Sequence, residues 1–406
     1  MNKSSQAFYW TAWPTAALSI LTLFALFYSA SCKTTDSQLQ AQKKTKSVAS
    51  TGLAYVDKKA VAWQSEIRPG SVATTDQKCT MSCHSTYSFM IVHSRINPNA
   101  EVVDFFVKQI GKRVMGYADG TAQPPYSWAH ETSKSVEILL SSVSLLSHEY
   151  GRGSEKIESF SPTTKVALDL LWKEQKPTGE WEWMEFANYA PWEDPAARYW
   201  GAAQVARVLG EASQLTPIAF SEYVQNSPAA KSGMTSLSLF LKKNIDTKPF
   251  NILHNRIALL WANRFFKGPV GASADLIDEK QVESIIDELI KAQDSSGAWN
   301  FASLVEPSGK SETPRRDGPN GYSTGLSVTV LKEYRKSSAK ADEIDEAVKK
   351  GVAWLTSNQN KTDGSWPTPS YNERPDDDGK QNTLEYRNSL VTDAASAYAI
   401  LGLITK

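Results

Sequence analysis

The chain lacks an excess of charge, lacks strand-like patterning and has few cysteines. Its 44 basic and 44 acidic side chains cancel, so the composition offers no electrostatic case for nucleic-acid binding, which would need a basic face. Alternation of apolar and polar residues nowhere extends beyond a few positions, so the sequence predicts an all-α protein. Only 3 cysteines occur in 406 residues, and none follows Cys83. A zinc site with a cysteine ligand in the rest of the chain is therefore not expected, and no magnesium site is recognised.

The N-terminus contains one apolar stretch, Ala16–Tyr28, which is short for a membrane span and typical of a signal-peptide core. It leads into Ser29-Ala30-Ser31-Cys32, which resembles a bacterial lipobox with a serine where leucine is usual. We predict a lipoprotein signal peptide over 1–31, a lipidated Cys32 with a flexible polar tether over 32–50, and one domain over 51–406. This resemblance implies a lipid anchor on the periplasmic side of the bacterial envelope, with the outer membrane favoured. A plain secreted protein and an uncleaved anchor are the alternatives.

Three copies of one pattern divide the chain: leucine, glutamine four residues later, then Gly-x-Trp. The copies are Leu171/Gln175/Gly179/Trp181, Leu289/Gln293/Gly297/Trp299 and Leu355/Gln359/Gly364/Trp366. Their spacing indicates a repeat of roughly sixty residues with one supersecondary unit in each copy. We expect each glutamine in the last turn of a helix, the glycine in the exit turn, and the tryptophan packed back on the helix end.

The pattern resembles the Gln-Trp repeat of the terpenoid-cyclase and prenyltransferase superfamily, which includes squalene–hopene cyclase. This resemblance implies an α/α toroid of about five to six helical-hairpin repeats. A particular bacterial group of such toroids, with a cytochrome-type motif ahead of the repeats, is similar over about residues 53–403. The strings that carry this similarity include Tyr55-Val56-Asp57, Asn255–Ala262, Gly321–Leu326 and Asp393–Ala399.

The motif Cys79-Thr80-Met81-Ser82-Cys83-His84 resembles the attachment site of c-type haem, with three residues between the cysteines where two are usual. The resemblance implies thioether bonds from Cys79 and Cys83 and iron coordination by His84. The alternatives are a Cys79–Cys83 disulfide, or free thiols or a metal site. Ser85-Thr86 is expected to cap a helix over Tyr87–Arg95. Candidates for a distal ligand are Met90, His93, Met115, His130 and His148.

Cyclase chemistry is not expected, because the chain lacks the Asp-x-Asp-Asp acid of class II cyclases. The nearest string, Pro375-Asp376-Asp377-Asp378, lies in a polar loop. Aromatic and acidic residues crowd the region 181–200, where Trp183, Trp192 and Glu193 are candidates for the cavity mouth. Paired carboxylates there would suit glycoside hydrolysis, and the alternative is repeat packing with a solvated acidic loop.

The sequence thus predicts an envelope lipoprotein with a squalene-cyclase-like toroid and a c-type haem, in a redox or ligand-binding role. An enzyme acting on a terpenoid or lipid in the toroid cavity, and a glycan-active enzyme or binder, are the alternatives. Expected partners are the membrane through the lipid, a hydrophobic or glycan ligand, and a redox partner, but not nucleic acid.

Overall fold

The computed structural model describes residues 39–63, 81–126, 129–153, 157–184, 196–268, 275–305, 318–371 and 383–406. Contacts divide the chain into a unit of residues 1–47 and a unit of residues 48–406, and the toroid belongs to the second. The described residues form helices and no β-strand, with one isolated bridge between Asn300 and Pro319.

Helix α1 covers residues 39–63 in the described part of the chain. The helices that follow are α2 (Thr86–Ile96), α3 (Glu101–Asp119), α4 (His130–Gly151), α5 (Pro162–Glu174), α6 (Ala197–Leu215), α7 (Pro217–Asn226), α8 (Pro228–Asn244), α9 (Leu253–Phe265), α10 (Glu279–Lys291), α11 (Phe301–Leu304), α12 (Gly321–Tyr334), α13 (Ala341–Ser357) and α14 (Leu384–Ile404).

Six of the described helices form a closed inner ring. In ring order they are α2, α4, α6, α9, α12 and α14, and α14 packs on α2 again. They run parallel. At one end the Asn255 amide of α9 donates to the Ala196 carbonyl before α6, and at the other the Gln214 amide of α6 donates to the Phe265 carbonyl of α9. We call the end at which the inner helices begin the mouth.

The outer layer contains α3, α5, α8, α10, α13 and the part of α1 after residue 47, and each of these helices precedes an inner helix in the chain. The chain is therefore an all-α, α/α toroid, as the repeats predict. Its inner helices are buried almost all round, since they contact outer helices on one side and the ring interior on the other. Outer helices such as α10 have one apolar stripe and a solvated face.

Each motif glutamine joins an exit turn to the next outer helix. In all three copies its side-chain amide donates to the glycine carbonyl of its own turn and to a backbone carbonyl of the following helix. The bonds run from Gln175 to Gly179 and Gly233, from Gln293 to Gly297 and Ala347, and from Gln359 to Gly364 and Val48, at 2.8–3.0 Å. Because Val48 lies in α1, the third glutamine links the last outer helix to the first.

Each motif tryptophan is buried and donates its indole N–H to the leucine carbonyl in the last turn of the preceding helix. The three bonds are Trp181 to Leu171, Trp299 to Leu289 and Trp366 to Leu355, at 2.7–2.9 Å. The glycine is required in the third copy for two reasons. Gly364 has φ +84°, and a Cβ there would lie 2.5 Å from the Thr51 carbonyl oxygen.

Two parts of the structure differ from the sequence interpretation. Residues 39–50, expected to be a flexible tether, are helical and belong to α1. Ser85 is the N-cap residue of α2, but its side chain caps no N–H group of the helix, because its hydroxyl donates to the Asp393 carboxylate instead. The Ser82 hydroxyl accepts from the N–H groups of His84 (3.2 Å) and Ser85 (3.1 Å) in the turn that precedes the helix. Within the described residues, no helix is both long and apolar enough to cross a membrane.

Candidate functional site

Three side chains from three helices meet at the mouth, where the ring closes. Tyr55 lies on α1, Ser85 immediately precedes α2, and Asp393 lies on α14. The Asp393 carboxylate accepts from the Tyr55 hydroxyl at 2.9 Å and from the Ser85 hydroxyl at 2.8 Å. We call these three residues the seam cluster. Both carboxylate oxygens are therefore held by hydroxyl donors, which fixes the orientation of the carboxyl group.

Burial raises the pKa of Asp393 from 3.8 to about 6. Lys59, the two hydroxyl donors and His84 all act in the opposite direction, and they do not outweigh the loss of water around the carboxyl group. Burial, followed by the charge of the same carboxylate, raises the pKa of the Tyr55 phenol. A carboxyl group with a pKa near neutrality can both donate and accept a proton at physiological pH, which is the property required of a general acid or base.

His84 lies beside this cluster and is 9% exposed. Cys83 is a free cysteine, half-buried and packed against the core, while Cys79 lies outside the described residues. A carboxylate near a metal-ligating imidazole is a common arrangement, and Asp393 could supply it. Haem attachment stays a prediction.

The residues suggested as distal ligands are spread over the ring. His93 is buried and contacts the Asp57 carboxylate of α1 at 2.7 Å. Met90 is buried in the core. His130 and His148 lie at opposite ends of α4, roughly 27 Å apart at 1.5 Å per residue. Met115 is exposed on α3. The structure does not bring these five side chains together.

The interior of the ring is filled by aromatic and charged side chains from the inner helices. Arg207 of α6 donates to Glu211 at 2.7 Å and to the Gln204 side chain at 3.1 Å, and its guanidinium lies 4.5 Å from the Trp261 ring centroid. The Tyr87 hydroxyl of α2 donates to the same Gln204 oxygen at 3.0 Å. Arg207 thus contacts Trp261 of α9 and shares the Gln204 oxygen with Tyr87 of α2. Because α2 and α9 lie on opposite sides of the ring, Arg207 lies near the ring axis.

Glu211 is the acidic centre of this interior network. It accepts from Arg207, from Arg95 of α2 and from the Tyr150 hydroxyl of α4. Although burial acts to raise its pKa, the two arginines and the hydrogen bonds hold the pKa below its ordinary value. The Arg207–Glu211 pair is therefore charged while almost fully buried. Among the described residues, Gln204 Nε2 and Arg207 Nη2 have no hydrogen-bond acceptor.

A row of aromatic rings runs from the mouth into the interior. Tyr371, in the loop after α13, is partly exposed, and its ring centroid lies 5.1 Å from that of Phe301. The ring centroids of Phe301 and Tyr322 are 5.5 Å apart, and those of Tyr322 and the fully buried Tyr398 are 4.5 Å apart. His254 contacts the Tyr322 hydroxyl at 2.8 Å, and burial lowers its pKa to about 3, so its ring is neutral.

The predicted mouth residues are only partly described. Trp183 is buried and packs edge-on against Trp200 at 5.5 Å, over Gly201, where a Cβ would collide with the Trp183 ring. Trp192 and Glu193 lie outside the described residues, as does the string 375–378. The described residues contain no group of three His, Cys, Asp or Glu side chains that could hold a metal ion.

Sequence reasoning did not single out Asp393 as a site residue. The available signal was a lone charged residue within the run Leu390–Ile400 of α14, together with its place in one of the strings that resemble the bacterial toroid group. Tyr55 belongs to another of those strings. Neither signal shows that residues so far apart in the chain meet.

Comparisons with known proteins identify no family for this chain. No family model matches the chain, and no curated protein matches it. Among solved structures, the chain is similar to a glycosyl hydrolase of family 88 from Bacteroides vulgatus. The identity is 10%, the alignment covers 88% of this chain and 98% of the other, and the TM-score is 0.46. A likeness at this level carries no argument about function.

Proposed function

We propose that this chain is a glycan-active enzyme that binds its substrate at the mouth of the toroid and uses Asp393 for proton transfer. The observation that carries the proposal is the seam cluster: a buried carboxyl group, fixed by two hydroxyls, at the mouth of the ring. Asp393 would protonate a leaving oxygen or take a proton from water, because its pKa lies near neutrality.

The aromatic row supports a sugar ligand. Tyr371 is the partly exposed end of this row and packs on the buried ring of Phe301, and ligand sites commonly combine aromatic surface with a few polar groups.

The ring interior disfavours a bound terpenoid or lipid substrate. A polyprene cyclase needs an apolar cavity, and here the axis is occupied by the charged pair Arg207 and Glu211. Displacing that pair into contact with hydrocarbon would leave charges without adequate partners, which costs several kcal/mol. A polar substrate at the mouth needs no such displacement.

Purified mature chain incubated with a panel of bacterial and plant polysaccharides tests the proposal, with new reducing ends as the readout. Asp393→Asn should lower the rate at least about 100-fold. The matched control is Asp169→Asn on α5, because Asp169 also accepts from a tyrosine hydroxyl, that of Tyr223 at 2.9 Å. Equal rates for wild type and Asp393→Asn on every cleaved glycan would reject Asp393 as the proton-transfer group.

A haem-bearing redox protein is the second candidate, and the position of His84 beside Asp393 favours it. Cys79, Cys83 and His84 would hold the haem, which would supply electron transfer.

Both candidate functions include export of the protein and lipidation of Cys32, which we propose from the N-terminal signal sequence alone. Cys32→Ser should release the protein from the membrane fraction and prevent its labelling by a fatty-acid analogue, and an unlabelled wild type would reject lipidation.

A further inference from the structure

The last inner helix, α14, begins further out at the mouth than its neighbour α12. The motif tryptophan gives a common reference level, because its backbone N–H donates to a hydroxyl of the next inner helix in both copies. Trp299 donates to Thr324 at 3.1 Å, and Trp366 donates to Ser396 at 3.0 Å. Thr324 is the fourth residue of α12, whereas Ser396 is the thirteenth residue of α14. Helix α14 therefore starts nine residues earlier than α12 does.

A close contact between the two helices supports this alignment. A Cβ on Gly321, the first residue of α12, would lie 3.0 Å from the Ala395 carbonyl oxygen. The start of α12 is thus level with the turn of α14 that contains Asp393. Residues 384–392 extend beyond that level by about 13 Å, at 1.5 Å per residue. We call residues 384–392 the overhang, and Asp393 lies at its base.

A second segment holds the overhang in place. Residues 366–370 run along α14, and the backbone N–H of every second residue donates to the side chain of every fourth helix residue. Two residues of an extended segment and four residues of a helix both advance about 6 Å, so the two repeats stay in register. The donors and their acceptors are Trp366 with Ser396 (3.0 Å), Thr368 with Thr392 (3.0 Å) and Ser370 with Asn388 (2.7 Å). The overhang is therefore a fixed wall at the mouth.

Another face of the overhang continues outward from Asp393. Leu390, Ser389 and Tyr386 precede Asp393 by three, four and seven residues, which places all of them on one face of the helix. These three side chains are partly exposed, whereas Asp393 is 5% exposed. Tyr386 lies about 10 Å from Asp393 along the helix axis. A partly exposed surface with an aromatic ring and hydroxyl groups therefore adjoins the carboxyl group of the seam cluster.

We propose that the overhang is one wall of the glycan site and that Tyr386 positions the glycan by stacking on a sugar ring. This inference rests on the proposed function and adds to it which side of the mouth takes the substrate. Tyrosine suits the role because it presents a large, rigid aromatic surface with a polar tip. The separation of about 10 Å means that Tyr386 contacts a different sugar unit from the one at which Asp393 transfers a proton. The site therefore takes an extended glycan.

Affinity electrophoresis of the full mature chain through gels that contain xylan, pectin, arabinogalactan or dextran tests the wall. At least one of these polysaccharides should retard the wild type. Tyr386→Ala should raise the Kd for it at least about fivefold because the stacking surface is lost, and Tyr386→Phe should bind like wild type. The control is Trp354→Ala, which removes a partly buried aromatic ring from the outer helix α13 and should leave the Kd unchanged.

Cleavage of the retarding polysaccharide gives a second readout. Tyr386→Ala should raise KM with kcat changed less than about twofold, because a stacked unit away from the reacting bond is held equally in the ground state and the transition state. A wild-type Kd in Tyr386→Ala, equal weakening by Trp354→Ala, or a wild type retarded by none of the four polysaccharides would overturn the inference. Retardation that depends on Tyr386, without cleavage by the wild type, would keep the binding site and reject the proposed enzyme.

Discussion

The Tyr55 hydroxyl donates to the Asp393 carboxylate across 2.9 Å, although 338 positions separate the two residues in the chain. Tyr55 lies on the first helix of the toroid and Asp393 on the last, so this hydrogen bond closes the ring at its mouth. The carboxylate is therefore both a structural link and the best candidate for chemistry. Removing its charge should therefore have opposite effects on two properties: the stability of the folded protein should rise, and the activity should be lost.

Asp393→Asn should make the folded protein more stable at pH 8 and inactive. Because burial raises the folded-state pKa to about 6 from 3.8, the folded state holds its proton more tightly than the unfolded state does. Ionisation therefore costs stability progressively as pH rises from about 4 to about 6, up to about 3 kcal/mol above that window. Asparagine keeps a polar group without this cost.

Urea unfolding of wild type and Asp393→Asn from pH 4 to pH 8 measures the effect. The difference in the free energy of unfolding should be near zero at pH 4 and should favour the variant at pH 8. A variant that is less stable than wild type at pH 8 would mean that the ionised carboxylate stabilises the seam cluster. That result would also remove the argument for proton transfer.

Much of the architecture was predictable because the repeats encode local contacts. Gln293, Gly297 and Trp299 lie within a few residues of one another, and their geometry follows from helix ends and exit turns. The all-α toroid follows from repetition of that unit. Which glutamine closes the ring was not predictable, because the Val48 carbonyl carries no sequence signal.

The candidate site was much less predictable than the fold. Asp393, Tyr55 and Ser85 come from the two ends of the chain and meet only after the ring has closed. Trp183 was proposed for the mouth because aromatic residues crowd that region, and its ring is buried against Trp200 near the start of α6. Composition shows that aromatic residues are numerous, but contacts with other helices decide which of them face a ligand.

Trp366→Ala should cost roughly 3–5 kcal/mol of stability, because the indole is 1% exposed and its N–H bonds the Leu355 carbonyl at 2.9 Å. Trp354→Ala on α13 is the control, since Trp354 is only partly buried there. Thermal unfolding that is unchanged by Trp366→Ala would contradict the role of the ring as a core anchor.

Gln359→Leu should destabilise the protein by about 1–3 kcal/mol, because the Val48 and Gly364 carbonyls both lose their donor. The neighbouring exposed amide of Asn358 bonds only the Trp354 carbonyl of its own helix, so Asn358→Ala should change stability by less than about 0.5 kcal/mol. Hydrogen exchange should also speed up in residues 48–63 of the Gln359 variant. Protection of that segment equal to wild type would show that this bond does not hold α1 in place.

Arg207→Met should cost about 3–5 kcal/mol, since Glu211 would keep a buried charge after losing one of its two arginine partners. The double variant Arg207→Met/Glu211→Gln should recover part of that loss, because neither charge then remains without the other. Chemical unfolding of the two single variants and the double variant gives the coupling energy. Additive losses would contradict a coupled charge pair near the ring axis.

Haem attachment can be decided by mass. If Cys79 and Cys83 form thioethers, protein from a host with the haem c maturation system should be heavier by one haem, and Cys83→Ala should lose the stable attachment. The extra residue between the cysteines is a small obstacle, since the cost of closing a loop grows slowly with its length. Cys32→Ser, made in parallel, removes a thiol outside the motif and should retain the haem. A mass equal to the chain less two hydrogens would instead mean a Cys79–Cys83 disulfide and would end the haem interpretation.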